Sequence, residues 1–257
     1  MDLELGDSVV IVTGATDGLG AALAARLVDE GARVAFCARN VDRVDAAAGR
    51  LRSAGGDVLG IVADVTSSDD IDRLVAETVS KWGRIDGIVN NAGQHAADGF
   101  ENVSDQAWIA DIDLKVMAAV RLIRGALPHM RRAGGGSVVN VVNTLARAPI
   151  ARSLPTSATR AAGLAITKAL SKELGPDNIR VNGVLIGIIE SGQWRRRAEK
   201  AGISLDEFLR NLASDIPMGR VGTGDDFADL VTFLLSKRSS FITGTAINLD
   251  GGASPVA

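Results

Sequence analysis

Residues 8–20 read SVVIVTGATDGLG, and this stretch decides the fold. Its first half is a β-branched run of the length of a buried strand, and its second half is a glycine-rich turn. Residues 22–31, ALAARLVDEG, carry apolar side chains at helical spacing. Glycine lets such a turn approach a bound anion, which the free N–H groups at a helix N-terminus attract. The stretch therefore predicts a strand–turn–helix unit with a phosphate site at its turn.

The same alternation of strand and helix continues along the whole chain. Short β-branched runs are separated by longer segments that carry apolar residues at helical spacing and end near glycine. Helical crossovers of the usual right hand cover both faces of a parallel sheet. We predict one α/β domain over residues 1–257, a doubly wound parallel sheet of about seven strands. The predicted strands are residues 8–13, 33–38, 57–63, 85–91, 137–143, 179–186 and 245–250.

The segment at about residues 190–217 departs from this alternation. It is polar and partly basic, and it lies between the sixth and last predicted strands. We predict a helical lid over the carboxyl ends of the strands. Its arginine run, 195–197, is explained most simply as a solvated helix face. Together with Arg147 and Arg152, it could instead receive an anionic substrate such as a carboxylate or an acyl thioester.

Size and composition argue against several classes of protein. The net charge of −3 is unlike that of a general nucleic-acid binder. No apolar run reaches the roughly 20 residues of a membrane-spanning helix, and the N-terminus is acidic where a signal peptide is basic. The single cysteine, Cys37, cannot form an internal disulfide. We expect a cytoplasmic protein without a metal site, which binds a small molecule and neither nucleic acid nor membrane.

Further motifs accompany the glycine turn, TGxxxGxG at residues 13–20. They are Ala63-Asp64-Val65 after the third strand, Asn90-Asn91-Ala92-Gly93 after the fourth, IRVN at 179–182, Gly219-Arg220, FITG at 241–244 and Asp250-Gly251-Gly252. Together they resemble the short-chain dehydrogenase/reductase family over nearly the whole chain. The resemblance implies a nicotinamide dinucleotide cofactor, whose adenine amino group Asp64 would hold and whose floor the NNAG loop would shape.

The end of the second strand favours NADP(H) over NAD(H). An acidic residue there would accept from the ribose 2′-hydroxyl, whereas an arginine can pair with a 2′-phosphate. Here Ala38 is followed by Arg39. Asp17 opposes this preference, because several NADP-binding relatives carry a basic residue in the glycine turn. The resemblance assigns cofactor contacts to Gly14, Thr16, Asp17, Gly18, Leu19, Gly20, Arg39, Asp64, Val65, Asn91, Ala92, Gly93, Arg160, Gly187, Ile189 and Ser191.

By the same resemblance, four positions that the family uses in catalysis carry other residues. The usual serine, tyrosine and lysine fall on Asn143, Thr156 and Arg160, and the usual asparagine falls on Asp113. The chain contains no tyrosine at all. An aliphatic hydroxyl is far less acidic than a phenol of pKa near 10, so Thr156 is no direct substitute. Arg160 can still bind ribose hydroxyls, and Asn143 can donate to an oxyanion.

Other residues near the predicted pocket could move protons. His95 follows Gly93 by two positions, and imidazole titrates near neutrality. A solvated loop histidine is the simpler alternative. Glu190 is a further candidate acid or base, and Ser191 takes the place of a threonine that binds the nicotinamide carboxamide in the family. His129 receives no role.

Three functions remain open from the sequence. The first is a nicotinamide-dependent oxidoreductase with a replaced proton donor. The second is a lyase, isomerase or cyclase on the same scaffold, with Asp113, His95 or Glu190 moving protons. The third is a cofactor-binding pseudoenzyme with a regulatory role.

We also expect a homotetramer. The predicted long helices at about 104–132 and 156–174 resemble those through which the family dimerises, and the segment from FITG to DGG resembles its second interface.

Overall fold

The β-branched runs form one parallel sheet. The structure is a computed structural model that describes residues 2–190 and 192–256, with all side chains in these ranges except those of Gln193, Arg195 and Arg196. Within these residues, seven strands are hydrogen bonded in the order β3-β2-β1-β4-β5-β6-β7. They are β1 Val9–Thr13, β2 Arg33–Ala38, β3 Val58–Val62, β4 Gly87–Asn90, β5 Gly136–Asn143, β6 Ile179–Ile186 and β7 Ala246–Leu249. The strand order reverses between β1 and β4, which is where doubly wound sheets leave a crevice for ligands.

Helices cover both faces of the sheet. Polar N-cap side chains start several of them; for example, the Asn40 Oδ1 atom accepts from the Arg43 N–H at the start of the second helix. A wide π turn, Asp113–Met117, joins the fourth helix to the fifth without a break. The helices are α1 Gly18–Asp29, α2 Val41–Ser53, α3 Ser68–Trp82, α4 Asp105–Ile112, α5 Ala118–Arg132, α6 Thr156–Glu173, α7 Gly192–Ala201, α8 Leu205–Ala213 and α9 Gly224–Leu235.

The apolar core is divided between the two faces of the sheet. Along β1, Val10 and Val12 pack into one cluster with Phe36 and Phe227. Ile11, which points to the opposite face, packs into the other cluster. Successive strand residues alternate in direction, so a strand that is covered on both sides is apolar throughout. The sheet thereby holds the carboxyl ends of its strands in fixed positions.

The predicted fold class is confirmed. The strands begin and end within about two residues of the predicted bounds, as expected for boundaries read from a sequence. The segment at 190–217 contains α7 and α8, and the Trp194 indole N–H ties α7 to the end of β6 through the Ile189 carbonyl, 2.6 Å away. Its role as a lid stays a prediction. None of the helices in the described residues has the length and apolar character needed to cross a membrane.

Candidate functional site

The glycine turn after β1 is closed by the loop that follows β4. The Asn91 side-chain amide donates to the carbonyls of Thr13 and Gly14, at 2.9 and 3.1 Å. In return, the Thr13 hydroxyl accepts from the backbone N–H groups of Asn91 and Ala92, both at 3.0 Å. Gly14 has φ +71°, which favours glycine, and a Cβ atom on Gly20 would collide with the Gly14 carbonyl. This interlock fixes the backbone around the start of α1.

The start of α1 offers N–H groups to an anion, but one of them is already bonded. The exposed Asp17 accepts from the Gly18 N–H at 2.8 Å and forms the N-cap. Leu19 and Gly20 lie in the first turn, where the helix itself supplies no acceptor for an N–H group. The turn therefore fits a pyrophosphate, while the Asp17 carboxylate brings negative charge close to it.

The two strands on the far side of β1 from β4, β2 and β3, are followed by a basic and an acidic residue at the same edge of the sheet. Arg39 is exposed directly after β2. Asp64, after β3, accepts from the N–H and the hydroxyl of Thr66, at 2.9 and 2.8 Å. The adjacent Val65 is buried. These positions could hold the adenosine half of a dinucleotide, with the arginine nearest to a 2′-phosphate.

The remaining predicted cofactor residues lie at other points of this edge. Thr16 is half-buried within the glycine turn. A Cβ atom on Gly187 would lie 2.6 Å from the Asp250 Cβ atom, so this glycine allows β6 and the segment after β7 to meet. Ile189 is buried and bridges to Gly222. Ser191 lies outside the described residues.

Arg160 lies under the loop that follows β4. Its Nη1 atom donates to the Val141 carbonyl at 2.6 Å, and its Nη2 atom lies 2.7 Å from where a Cβ atom on Gly93 would be. Burial lowers the pKa of the Arg160 guanidinium to about 10, and the negative charge of Asp111 opposes this shift. The residue is therefore still a cation at neutral pH.

Two buried polar atoms of the predicted site have no partner among the described residues: the Oδ1 atom of Asn143, at the end of β5, and the Nε atom of Arg160. The Oδ1 atom of Asp111 also lacks a hydrogen bond there, although it forms an ion pair with Lys115. An unpaired buried donor or acceptor costs on the order of 1–3 kcal/mol. One acceptor and one donor of this kind fit a polar ligand, such as a ribose hydroxyl, that would complete the site.

Asp111 and Lys115 form a buried ion pair that the sequence analysis did not select. The Lys115 Nζ atom lies 2.6 Å from the Asp111 Oδ1 atom, and the two side chains are 0% and 1% exposed. The same ammonium donates to the Thr156 hydroxyl at 3.0 Å. The other Asp111 oxygen accepts from the Thr159 hydroxyl at 2.8 Å. The pair thus connects the π turn to the first turn of α6.

Asp113 is not brought together with Thr156. Its carboxylate pairs with Arg121 at 2.7 Å, and Arg121 also donates to the Thr66 carbonyl at 3.1 Å. Residues two apart on a helix do not share a face, so the side that carries Asp111 and Lys115 cannot also carry Asp113. Its predicted catalytic role stays a prediction without a contact to support it.

Two small cavities separate Lys115 from Arg160. Their volumes are about 20 and about 10 Å³, and both are lined by Asn90, Lys115, Ala119 and Arg160. A single water requires on the order of 10–15 Å³ together with polar partners. The larger cavity also touches Thr13, Val65 and Ala92, so it borders the residues that close the glycine turn.

The other candidate proton carriers lie further out. His95 is exposed in the loop after β4. Desolvation lowers the pKa of its imidazole, and the positive charges of Arg197 and Lys115 act in the same direction. Glu190 is exposed after β6. Neither is hydrogen bonded to Thr156, whose described partners are Lys115 and Ala96.

Two of the arginines that were considered for an anionic substrate already have partners, and the side chains of Arg195 and Arg196 lie outside the described part of the structure. Arg147 donates to the Ala246 carbonyl at 3.0 Å, and Arg152 pairs with Asp98 at 2.8 Å. Within the described residues, no group of three or more histidine, cysteine, aspartate or glutamate side chains could hold a metal ion.

The chain is similar to known proteins along nearly its whole length. A family profile described as enoyl-(acyl carrier protein) reductase matches residues 14–254. Dehydrogenase/reductase SDR family member 4 from Homo sapiens is 35% identical over 253 residues, covering 96% of this chain and 88% of that protein.

Two solved structures share the fold. The L-sorbose reductase of Gluconobacter frateurii, complexed with NADPH and L-sorbose, superposes with a TM-score of 0.96 at 32% identity over the full length of both chains. An NADPH-bound short-chain oxidoreductase of Pseudomonas aeruginosa, described as containing an atypical catalytic center, gives 0.93 at 34% identity. That match covers 98% of this chain and all of the other.

Proposed function

The chain belongs to the short-chain dehydrogenase/reductase family of oxidoreductases, and from that premise we propose that it is a nicotinamide-dependent reductase of a small molecule with an altered proton donor. The hydride would go to a carbon whose attached or conjugated oxygen gains negative charge. The observation that carries this proposal is the pair of unpartnered buried atoms, Asn143 Oδ1 and Arg160 Nε. A pocket without a ligand would be free to fill such positions with apolar side chains.

The cofactor in this proposal is NADP(H) rather than NAD(H). Arg39 is exposed at the end of β2, where a 2′-phosphate would lie. The two solved relatives named above were determined with NADPH. When bound, the cofactor supplies the hydride. The chain's own residues would bind its pyrophosphate at the start of α1, and Arg160 would donate to the ribose under the loop after β4.

The altered active site rests on Asn143, Thr156, Arg160 and Asp113. These residues occupy the positions where the family resemblance implies serine, tyrosine, lysine and asparagine. Arg160 retains a positive charge there, while Thr156 retains only a hydroxyl. The Pseudomonas relative with an atypical catalytic center supports the view that this scaffold tolerates such a change.

A homotetramer is part of the same proposal. Phe241, in the FITG segment, is fully exposed in the isolated chain, and Ile109 on α4 is also exposed. Large exposed apolar side chains of this kind are typical of interfaces between subunits.

The proposal does not extend to a negatively charged substrate. Arg147 and Arg152 give no support for one, because both have partners within the chain.

Turnover and binding measurements test this function. NADPH and NADH are titrated by fluorescence, and NADPH oxidation is followed with a panel of ketones, 1,2-dicarbonyls and enones. We expect NADPH to bind more tightly and at least one activated acceptor to be reduced. If NADPH binds but no acceptor is reduced, the protein is not a reductase of this class. Turnover that is independent of the cofactor's oxidation state would indicate a lyase or isomerase.

A further inference from the structure

The Asp111–Lys115 pair is placed where a proton is needed and where the family resemblance leaves no phenol. Lys115 lies on the π turn and Thr156 is the first residue of α6. Lys115, Asp111 and Thr156 are each less than 10% exposed. Burying a lysine is costly unless its charge is paired. Lys115 therefore does not serve as a solvent-exposed surface charge.

The hydrogen bonds of the Thr156 hydroxyl leave one of its groups without a partner. A threonine hydroxyl carries one donor hydrogen and two acceptor lone pairs. The Thr156 oxygen accepts from Lys115 at 3.0 Å and from the Ala96 backbone N–H at 3.3 Å. Both lone pairs of the Thr156 hydroxyl oxygen thus already accept hydrogen bonds. The hydroxyl hydrogen has no acceptor among these partners, so it can be donated to a ligand.

The cluster borders the proposed nicotinamide site. Ala96 lies three residues after Gly93, in the loop that closes the glycine turn. The larger cavity beside Lys115 is also lined by Asn90, Ala92 and Arg160. A substrate held against the cofactor would therefore approach Thr156 from the side of this loop.

We propose that Thr156 passes a proton to the substrate oxygen and that Lys115, held by Asp111, supplies it. The inference rests on the proposed reductase function. The bound cofactor would supply a hydride to the substrate carbon, and the π electrons of the C=O bond would then move to oxygen. That oxygen takes the Thr156 hydroxyl hydrogen, while the Thr156 oxygen takes a proton from the Lys115 ammonium. Lys115 becomes a neutral amine and recovers a proton through water in the cavity of about 20 Å³ that it lines.

The low acidity of a threonine hydroxyl does not prevent this relay. Thr156 never has to ionise, because its oxygen gains one proton as it loses the other. Thr156 is the catalytic residue, since it contacts the substrate. Lys115 acts through Thr156, and Asp111 acts through Lys115, so both are positioning residues in this scheme. A proton supply of this kind is worth on the order of 10²–10⁴ in rate.

The surroundings of Lys115 suit a proton donor. Desolvation lowers the pKa of its ammonium below the usual value, the neighbouring charge of Arg160 lowers it further, and the hydrogen bond and charge of Asp111 oppose the shift. The charges of Lys115 and Asp111 also shift the pKa of the His95 imidazole, in the loop after β4, in opposite directions. The titratable neighbours of Lys115 are thus one carboxylate, one guanidinium and one imidazole.

Three variants and one control test the relay. Thr156→Val removes the hydroxyl and keeps the shape, whereas Thr156→Ser keeps the hydroxyl. Lys115→Met alone leaves a buried carboxylate without its cation and can prevent folding. The double change Lys115→Met with Asp111→Asn removes both charges together. Lys172→Met, on an exposed position of α6, is the matched control for loss of a lysine.

The readouts are NADPH affinity by fluorescence and NADPH oxidation with 2,2,2-trifluoroacetophenone as the probe. We expect Thr156→Val and the double variant to bind NADPH within about threefold of the native protein and to lose about 100-fold or more in kcat. Lys172→Met should retain kcat, and Thr156→Ser should keep more of kcat than Thr156→Val because it keeps a hydroxyl. Unchanged kcat in Thr156→Val or in the double variant overturns the relay. Failure of the native protein to bind or oxidise NADPH would instead contradict the proposed function itself.

The pH profile separates proton supply from a structural role. Reduction requires protonated Lys115, so kcat should fall as the pH rises through the pKa of the ammonium. Lys115→Arg keeps the positive charge, but an arginine does not give up its proton. We therefore expect Lys115→Arg to lose kcat at every pH, and Lys172→Met to keep both kcat and the native pH profile. Native kcat in Lys115→Arg, or a native pH profile without a fall, would overturn Lys115 as the proton source.

Discussion

At the scale of single residues, the site is a set of polar groups whose partners are incomplete. Arg160 is held by the Val141 carbonyl, yet its Nε atom is unpaired among the described residues. Lys115 forms an ion pair with Asp111 and donates a hydrogen bond to the Thr156 hydroxyl. The unused donors of the cluster therefore include the Nε–H of Arg160 and the hydroxyl hydrogen of Thr156, both suited to oxygen atoms of a ligand.

Arg39 should decide the choice of cofactor. We expect Arg39→Asp to weaken NADPH binding by about 10- to 100-fold, because a hydrogen bond to a charged group contributes about 1.5–3 kcal/mol. NADH binding should be unchanged or stronger, since a carboxylate can accept from the ribose 2′-hydroxyl. Titration of both cofactors measures this. Arg50→Asp, exposed near the end of α2, controls for net charge, and equal losses in the two variants would rule out a specific contact.

Asp17 should weaken cofactor binding in the native protein. Asn is as good an N-cap residue as Asp, so Asp17→Asn keeps the start of α1 while removing a negative charge near the pyrophosphate. We expect NADPH to bind about two- to fivefold more tightly, the scale of a charge at a helix terminus. The gain should shrink at high salt. Unchanged or weaker binding at low salt would show that the carboxylate does not face the phosphates.

At the scale of elements, the glycine turn and the π turn position the two halves of the site. The turn after β1 was predictable, because its spacing and its strand–helix context are local. The Asp111–Lys115 pair was not. An acid and a lysine four residues apart usually form an exposed helix pair, and nothing local distinguishes a buried one. Only the packing of α4 and the π turn against α6 buries it.

The close contact at Gly20 gives a test of the turn. A Cβ atom there would collide with the Gly14 carbonyl, whereas one on Gly49, inside α2, would meet nothing within 4 Å. We expect Gly20→Ala to lower the free energy of unfolding by about 1–3 kcal/mol, as other overpacking changes do, and to abolish NADPH binding. Gly49→Ala should raise the free energy of unfolding by about 0.5–1 kcal/mol. Denaturant unfolding measures both, and intact NADPH binding in Gly20→Ala would contradict this account of the turn.

At the scale of the whole molecule, seven parallel strands place the carboxyl ends of β1, β4, β5 and β6 along one crevice. This architecture was predictable from the alternation of strand and helix patterns. The direction of individual side chains around it was not, as the separation of Asp113 from Thr156 shows. Phe241 is fully exposed in the isolated chain, and the proposed homotetramer would cover it.

The predicted tetramer can be tested at Phe241. We expect light scattering to give the mass of four chains at micromolar concentration. Phe241→Glu should reduce that mass by half, because a charge at a buried interface position is costly when unpaired. Arg50→Glu, exposed on α2 and outside both predicted interfaces, should leave the mass unchanged. A native protein with the mass of one chain contradicts the prediction.

The measurement that tests the central claim most directly is deuterium transfer from NADPH labelled at C4. Native protein is incubated with each C4 epimer of [4-²H]NADPH and an activated ketone, and the product alcohol is analysed by mass spectrometry. The account predicts that one epimer alone delivers deuterium to the product, and that Thr156→Val reduces the rate of delivery about 100-fold. Product without deuterium from either epimer, or no product while NADPH is bound, would contradict it.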